Sequence, residues 1–111
     1  MGEIMPREDR QIIFSYEETY KAIYALCTQK EMRKPPPGAI SVIKSHPDVE
    51  KKMVFQIDNH QDNSSHQVEY NSDFLAAALM LFCRSQSIPI SKIAKKSVEL
   101  KNSNVILRLV I

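Results

Sequence analysis

Glycine is almost missing from this chain of 111 residues, which has only Gly2 and Gly38. Loops that cradle nucleotide phosphates need several glycines at fixed positions, because the backbone itself approaches the ligand. Dinucleotide fingerprints and Walker loops are therefore excluded. Cysteine is equally scarce: Cys27 and Cys83 each sit in an apolar stretch, and no C-x-x-C spacing occurs. That removes thiolate zinc sites. It leaves two thiols that behave as small apolar groups, as in a reducing compartment, with a single Cys27–Cys83 disulfide as the alternative. Set within apolar helices, they also lack the electropositive setting of a nucleophilic thiol. Long apolar runs are missing as well. The longest, Phe74 to Cys83, is about half of a membrane span. No pair of carboxylates stands out for glycoside chemistry, and no cofactor is implied.

What is present has globular proportions, with 43% hydrophobic and 25% charged residues, enough for one core without metal or disulfide support. The expected organisation is a polar N-terminal arm over residues 1–9 and a single α+β domain over 10–111. Met1 to Arg10 mixes both charge signs around no apolar core, unlike a secretory signal. The expected location is the cytoplasm.

Charge is balanced in total, at +2, but uneven along the chain. Residues 58–73 carry Asp58, Asp62, Glu69 and Asp73 with no Lys or Arg. Residues 84–111 carry Arg84, Lys92, Lys95, Lys96, Lys101 and Arg108 against Glu99 alone. Such polarity steers partners or pairs copies head to tail.

Periodicity supplies the elements. Gln11 to Phe14 is a short β-type run. Ser15 with Glu18 three positions on is a capping box, and Tyr16, Tyr20, Ile23 and Cys27 follow at helical spacing. This helix is expected to reach about Met32, before Pro35-Pro36-Pro37-Gly38. Ala39, Ile40, Val42 and Ile43 fit a helical turn ending near His46-Pro47; the alternative is a strand through Ile40, Val42 and Lys44. Met53 to Ile57 and Gln67 to Tyr70 alternate as strands around a polar loop, Asp58 to His66. Ser72 is the expected N-cap of a second helix. Its residues Phe74 to Cys83 are apolar on every side, which places it centrally. Val98 and Leu100 mark a half-exposed strand, Asn102-Ser103-Asn104 a turn, and Val105 to Ile111 a final strand. No internal repeat is evident. The order β-α-β-β-α-β-β predicts two helices on one face of an antiparallel sheet, and its first six elements match the ferredoxin-like arrangement.

Candidate sites are few. The loop holding His60 and His66 with Asp58 and Asp62 offers metal-ligating groups, but at no zinc or calcium spacing; the expected metal is none, and a metal-dependent protein is an alternative. His46, before a proline at an element boundary, suits a capping role. Arg84, Lys92, Lys95, Lys96, Lys101 and Arg108 are candidate phosphate contacts for nucleic acid, although the basic-glycine-aromatic signature of RNA-recognition sheets is absent. Tyr16, Tyr20 and Tyr24 form a stripe suited to an interface. If the final strand lies at a sheet edge, only Arg108 guards it, and pairing across a two-fold axis would remove that edge.

Phe82-Cys83, Ile88-Pro89-Ile90-Ser91, Ala94-Lys95-Lys96-Ser97 and the strand Asn104 to Leu109 resemble a pattern in small bacterial proteins. These have an apolar helix ending in an aromatic-Cys pair, then I-P, A-x-K-S and a closing hairpin. The resemblance carries no assigned activity and transfers no catalytic residue. It implies one structural unit in which Ile88, Ile90 and Ile93 anchor the return to the sheet while Lys95 and Lys96 stay outside. The reading that results is a non-enzymatic protein-interaction module, with a protein partner or a second copy. The alternatives are a nucleic-acid accessory protein using 84–108 and the His60/His66 metal protein.

Overall fold

The computed structural model describes residues 7–111 and is α+β, with two helices and two three-stranded antiparallel sheets. The order is β1 (Asp9–Phe14), α1 (Tyr16–Gln29), β2 (Ala39–Ser45), β3 (Lys52–Asn59), β4 (Ser64–Asn71), α2 (Ser72–Ser85), β5 (Lys95–Lys101) and β6 (Asn104–Val110). The strands divide as β2-β3-β4 and β1-β6-β5, so the single sheet of the ferredoxin-like expectation is split in two. Of the expected arm, residues 1–6 lie outside the described residues. Asp9 already belongs to β1, and Glu8 exchanges backbone hydrogen bonds with Ile111.

Helix α1 starts as its sequence dictates. Ser15 Oγ accepts from Glu18 N at 3.1 Å, and Glu18 Oε1 accepts from Ser15 N at 2.9 Å. It stops at Gln29, before the prolines act, because Glu31 turns to φ 54° and Met32 N donates to Cys27 O at 2.8 Å. Helix α2 is capped by Asn71 rather than Ser72: Asn71 Oδ1 accepts from Asp73 N at 2.9 Å and Phe74 N at 3.3 Å. Both side chains suit a cap, and Asn71 takes it because β4 runs directly into the helix.

Residues 39–45 form strand β2, not a helical turn. Ile40 pairs with Ile57 and Ile43 with Phe55, and a bulge at Ser41 places both on the buried face. That extra residue gives Ile40 and Ile43 the three-residue spacing that resembles a helix. The polar loop is also shorter than expected. β3 and β4 extend to Asn59 and Ser64, leaving the turn His60–Asn63 with Asn63 at φ 55°. Polar side chains cross-brace it: Asp58 Oδ1 accepts from Ser65 Oγ at 2.7 Å and Gln56 Nε2 at 3.2 Å, and Asp62 Oδ1 from Ser64 N at 2.9 Å.

The helices pack on each other and against the inner faces of both sheets. Phe14, Ile23, Phe55, Ile57, Leu75, Leu79, Val105 and Leu107 are fully buried in one shared core. Each such side chain contributes about 1.5–3 kcal/mol, against about 0–1 kcal/mol for an exposed ion pair such as Lys21–Glu17. The core therefore decides the fold. No residue of Phe74 to Cys83 is exposed, as an all-apolar helix requires.

The structure contains a repeat that inspection of the sequence misses. The register that lays Tyr16 on Ser72 lays all of α1 on all of α2. With the strand connection four residues shorter in the second half, the order β1-α1-β2-β3 also corresponds to β4-α2-β5-β6, with the β2–β3 ladder matching β5–β6 and β3–β4 matching β6–β1. Each half thus gives its first strand to the other half's sheet. In that register Gln11, Ala22, Cys27, Ser41 and Val42 meet Gln67, Ala78, Cys83, Ser97 and Val98. Ser15 meets Asn71 as cap, and Glu31 meets Ser87 (φ 58°) as the left-handed residue after each helix. Aliphatic, aromatic and cap substitutions between the halves hide the repeat from identity alone.

Candidate binding cleft

Three of the six basic candidates converge. Helix α2 ends with Arg84 in its last turn, and Ile88 N donates to Cys83 O at 2.8 Å, turning the chain back over the helix. Pro89 O accepts from Arg10 Nη1 at 2.7 Å, which ties this return segment to β1. Lys96, at the start of β5, then points inward; its Nζ donates to Ala94 O at 2.9 Å and Lys92 O at 3.3 Å. Between these elements lies a cleft of about 450 Å³ lined by Met80, Arg84, Ile88, Pro89, Ile90, Ser91, Lys92 and Lys96. Its floor is aliphatic, its rim holds three cations, and no carboxylate lines it. The two carbonyls fix the Lys96 ammonium and orient it before any ligand arrives.

The expectation that Lys95 and Lys96 both stay outside is corrected for Lys96. Strand alternation sends successive residues to opposite faces, so only Lys95 faces away. Ile88 and Ile90 anchor the return segment against the core, but Ile93 is 78% exposed and Ala94 takes the buried place.

The other basic candidates lie apart from the cleft. Lys95 and Lys101 sit on the outer face of β5 with Glu99 between them. Arg108 lies on the outer face of β6, which is the central strand of its sheet and not an edge. Arg108 Nε donates to Asp9 Oδ1 at 2.9 Å and Nη2 to Asp9 Oδ2 at 2.5 Å, with Glu99 3.7 Å from Nη1. The Arg108 hydrogen bond holds the Asp9 carboxyl below its ordinary range, and Asp9 raises the guanidinium in turn. The basic segment is therefore two separate surfaces, not one stripe.

The tyrosine stripe also divides. Tyr16 packs half-buried against the core. Tyr20 OH donates to Pro36 O at 2.8 Å, fixing the proline segment to α1. Tyr24, 42% exposed, stacks on Tyr20 with centroids 6.3 Å apart, and Lys34 Nζ stands 5.7 Å from its ring centroid. A second cleft of about 400 Å³ opens beside this segment, lined by Arg33, Lys34, Pro36 and the β4 residues His66 to Tyr70. Burial pushes the Tyr70 hydroxyl up to about 12, with smaller contributions from Cys27 and Tyr20.

His60 lies in the hairpin turn and His66 on β4. Among the described residues no three His, Cys, Asp or Glu side chains form a group able to hold a metal ion. His46 does cap: its Nδ1 accepts from Asp48 N and Val49 N, both at 3.0 Å. Cys27 and Cys83 are free, buried thiols, and burial raises both above the ordinary thiol value. No helix among the described residues is long and apolar enough to cross a membrane.

Sequence reasoning found the three cations of the first cleft but not its apolar floor. The available signal was the Ile88-Pro89-Ile90 run directly after a helix end, inside a lysine-rich segment. Arg33 and Lys34 were missed because the proline triplet beside them reads only as a helix stop.

Neither a protein-family model nor a curated protein nor a solved structure matches the chain.

Proposed function

We propose that the chain is a non-enzymatic protein-interaction module that docks an acidic, apolar-flanked segment of a partner protein into the Arg84–Lys92–Lys96 cleft. The observation that carries this reading is the convergence of three cations from α2, the return segment and β5 on an aliphatic floor without a carboxylate. Met80, Ile88 and Ile90 suit a leucine-sized side chain, and the cations suit the carboxylates on either side of it. Protein is favoured over nucleic acid because no aromatic platform lines the cleft and the basic residues do not form a continuous track. The buried free thiols agree with a reducing compartment, here the cytoplasm.

The test is fluorescence anisotropy with a labelled peptide alternating aspartate and leucine. Saturable, salt-sensitive binding is expected, weakened about tenfold or more in Arg84→Gln/Lys92→Gln/Lys96→Gln. Equal binding by that variant, or tighter binding of a single-stranded oligonucleotide than of the peptide, would overturn the reading.

Self-association is a second reading, favoured by one feature. Ile13 is 61% exposed on the outer face of β1, paired with Ile106, and Val110 is exposed at the other end of the same ladder, opposite Asp9. A second copy laid on this face would cover them. Sedimentation across a concentration series is then expected to show a dimer that Ile13→Glu dissolves; a monomer at every concentration would contradict it.

A further inference from the structure

β4 is an edge strand without the usual guards. It ends the β2-β3-β4 sheet and pairs with β3 over all eight of its residues without a bulge. Exposed edges are normally blunted by lysine, proline or a bulge. The edge strand β5 carries Lys95, Lys96 and Lys101, β2 carries Lys44 and the bulge at Ser41, and β1 carries Arg10. Ser64–Asn71 has no lysine, arginine or proline.

The phase of the ladder fixes which backbone groups of β4 are free. Ser72 N donates to Lys51 O at 2.7 Å, and on the other side of β3 His46 N donates to Lys52 O at 2.8 Å. With Lys52 opposite Asn71, alternation turns the N–H and C=O of His66, Val68 and Tyr70 toward β3. Those of Gln67 and Glu69 point away from the sheet, where no strand pairs with them. They open on the cleft of about 400 Å³ whose far wall is Arg33, Lys34 and Pro36. Tyr20 holds that wall through Pro36 O, and Pro35 is buried. Prolines have no N–H, so the wall cannot itself add to β4 as a strand and close the edge. Glu69, the one carboxylate lining the cleft, has Lys52 Nζ at 3.5 Å and His46 Nε2 at 3.9 Å. Among the described residues Arg33 and Lys34 have no carboxylate partner.

We propose that β4 is the docking edge for an extended segment of a partner protein, which adds to the sheet as a further strand and sets a carboxylate between Arg33 and Lys34. Main-chain hydrogen bonds to Gln67 and Glu69 give affinity. The two cations and the half-buried Val68 and Tyr70 select the side chains on the inward face. This site is separate from the Arg84–Lys92–Lys96 cleft, and neither reading depends on the other.

Amide hydrogen exchange with a capped threonine-valine peptide, carrying one aspartate on its valine face, tests the proposal. Saturating peptide is expected to slow exchange at Gln67 and Glu69 about tenfold or more. Arg33→Gln/Lys34→Gln weakens binding about tenfold, as does asparagine in place of the peptide's aspartate. Gln67→Pro removes an outward-facing donor and abolishes binding. Peptides N-methylated at alternate amides make the same test without altering the protein: methylation of one set abolishes binding, and methylation of the other set spares it. Both methylated peptides binding like the parent, or unchanged exchange at Gln67 and Glu69, would overturn the proposal. So would protection of those amides in concentrated protein alone, which would make a second copy the occupant.

Discussion

Cys27 and Cys83 occupy the same place in two equivalent helices. Each carbonyl accepts the N–H of the fifth residue onward, from Met32 and from Ile88, at 2.8 Å. Each side chain is fully buried. This pair marks the correspondence between the halves, and both thiols belong to the core that the halves share.

Burial raises both thiols and removes them from solvent. A neutral thiol out of reach is unreactive. The folded protein is therefore expected to resist iodoacetamide at pH 8, and both cysteines to alkylate in denaturant. Mass spectrometry reads this directly; rapid labelling of either cysteine in the folded state would contradict the shared core.

Tyr70 lies between Phe55 and Phe74, with ring centroids 5.4 and 5.2 Å away. Its hydroxyl is pushed up from 10 to about 12, chiefly by burial. A raised folded value means that the stability tied to this group is complete below pH 10 and is lost as pH rises through about 12. Ultraviolet titration is expected to show a late tyrosinate phase near pH 12, absent in Tyr70→Phe. An unchanged titration in that variant would assign the late phase elsewhere.

At the acid end the sign reverses. Hydrogen bonds from Arg108 lower Asp9, those from Ser65, Gln56 and Ser41 lower Asp58, and those from Ser64 lower Asp62. Stability linked to a lowered carboxyl is present above its ordinary value of 3.8 and is lost as pH falls through the lowered one. Urea midpoints should fall as pH drops below 4, and less steeply in Asp9→Asn/Asp58→Asn. Identical pH slopes in variant and parent would remove these two groups from the acid limb.

Gly38 enters β2 at φ 142°, and a Cβ there would overlap the Asp58 carbonyl oxygen. Gly38→Ala is expected to cost about 1–3 kcal/mol. Chemical denaturation measures it; an unchanged midpoint would show that the β2–β3 ladder accommodates a side chain there.

Much of this fold is written locally. The Ser15–Glu18 capping box, the alternation of Met53 to Ile57 and the all-apolar Phe74 to Cys83 each state their element within a few residues. What is not local was not legible. The bulge at Ser41 changes the spacing of Ile40 and Ile43 from that of a strand, and only pairing with β3 reveals why. The division into two sheets depends on β1 crossing to β6, a contact between the chain's two ends. For the cleft, the sequence displayed six cations but not which face each takes. Strand alternation separates Lys96 from Lys95, and the ion pair with Asp9 engages Arg108.

The measurement that tests the central claim most directly is an amide chemical-shift titration with the single aspartate-leucine peptide. The account predicts saturating, salt-sensitive shifts at Arg84, Ile88, Ile90, Lys92 and Lys96, with Lys95, Lys101 and Arg108 unmoved. Shifts centred on Lys95, Lys101 and Arg108, or none at the cleft, would contradict it.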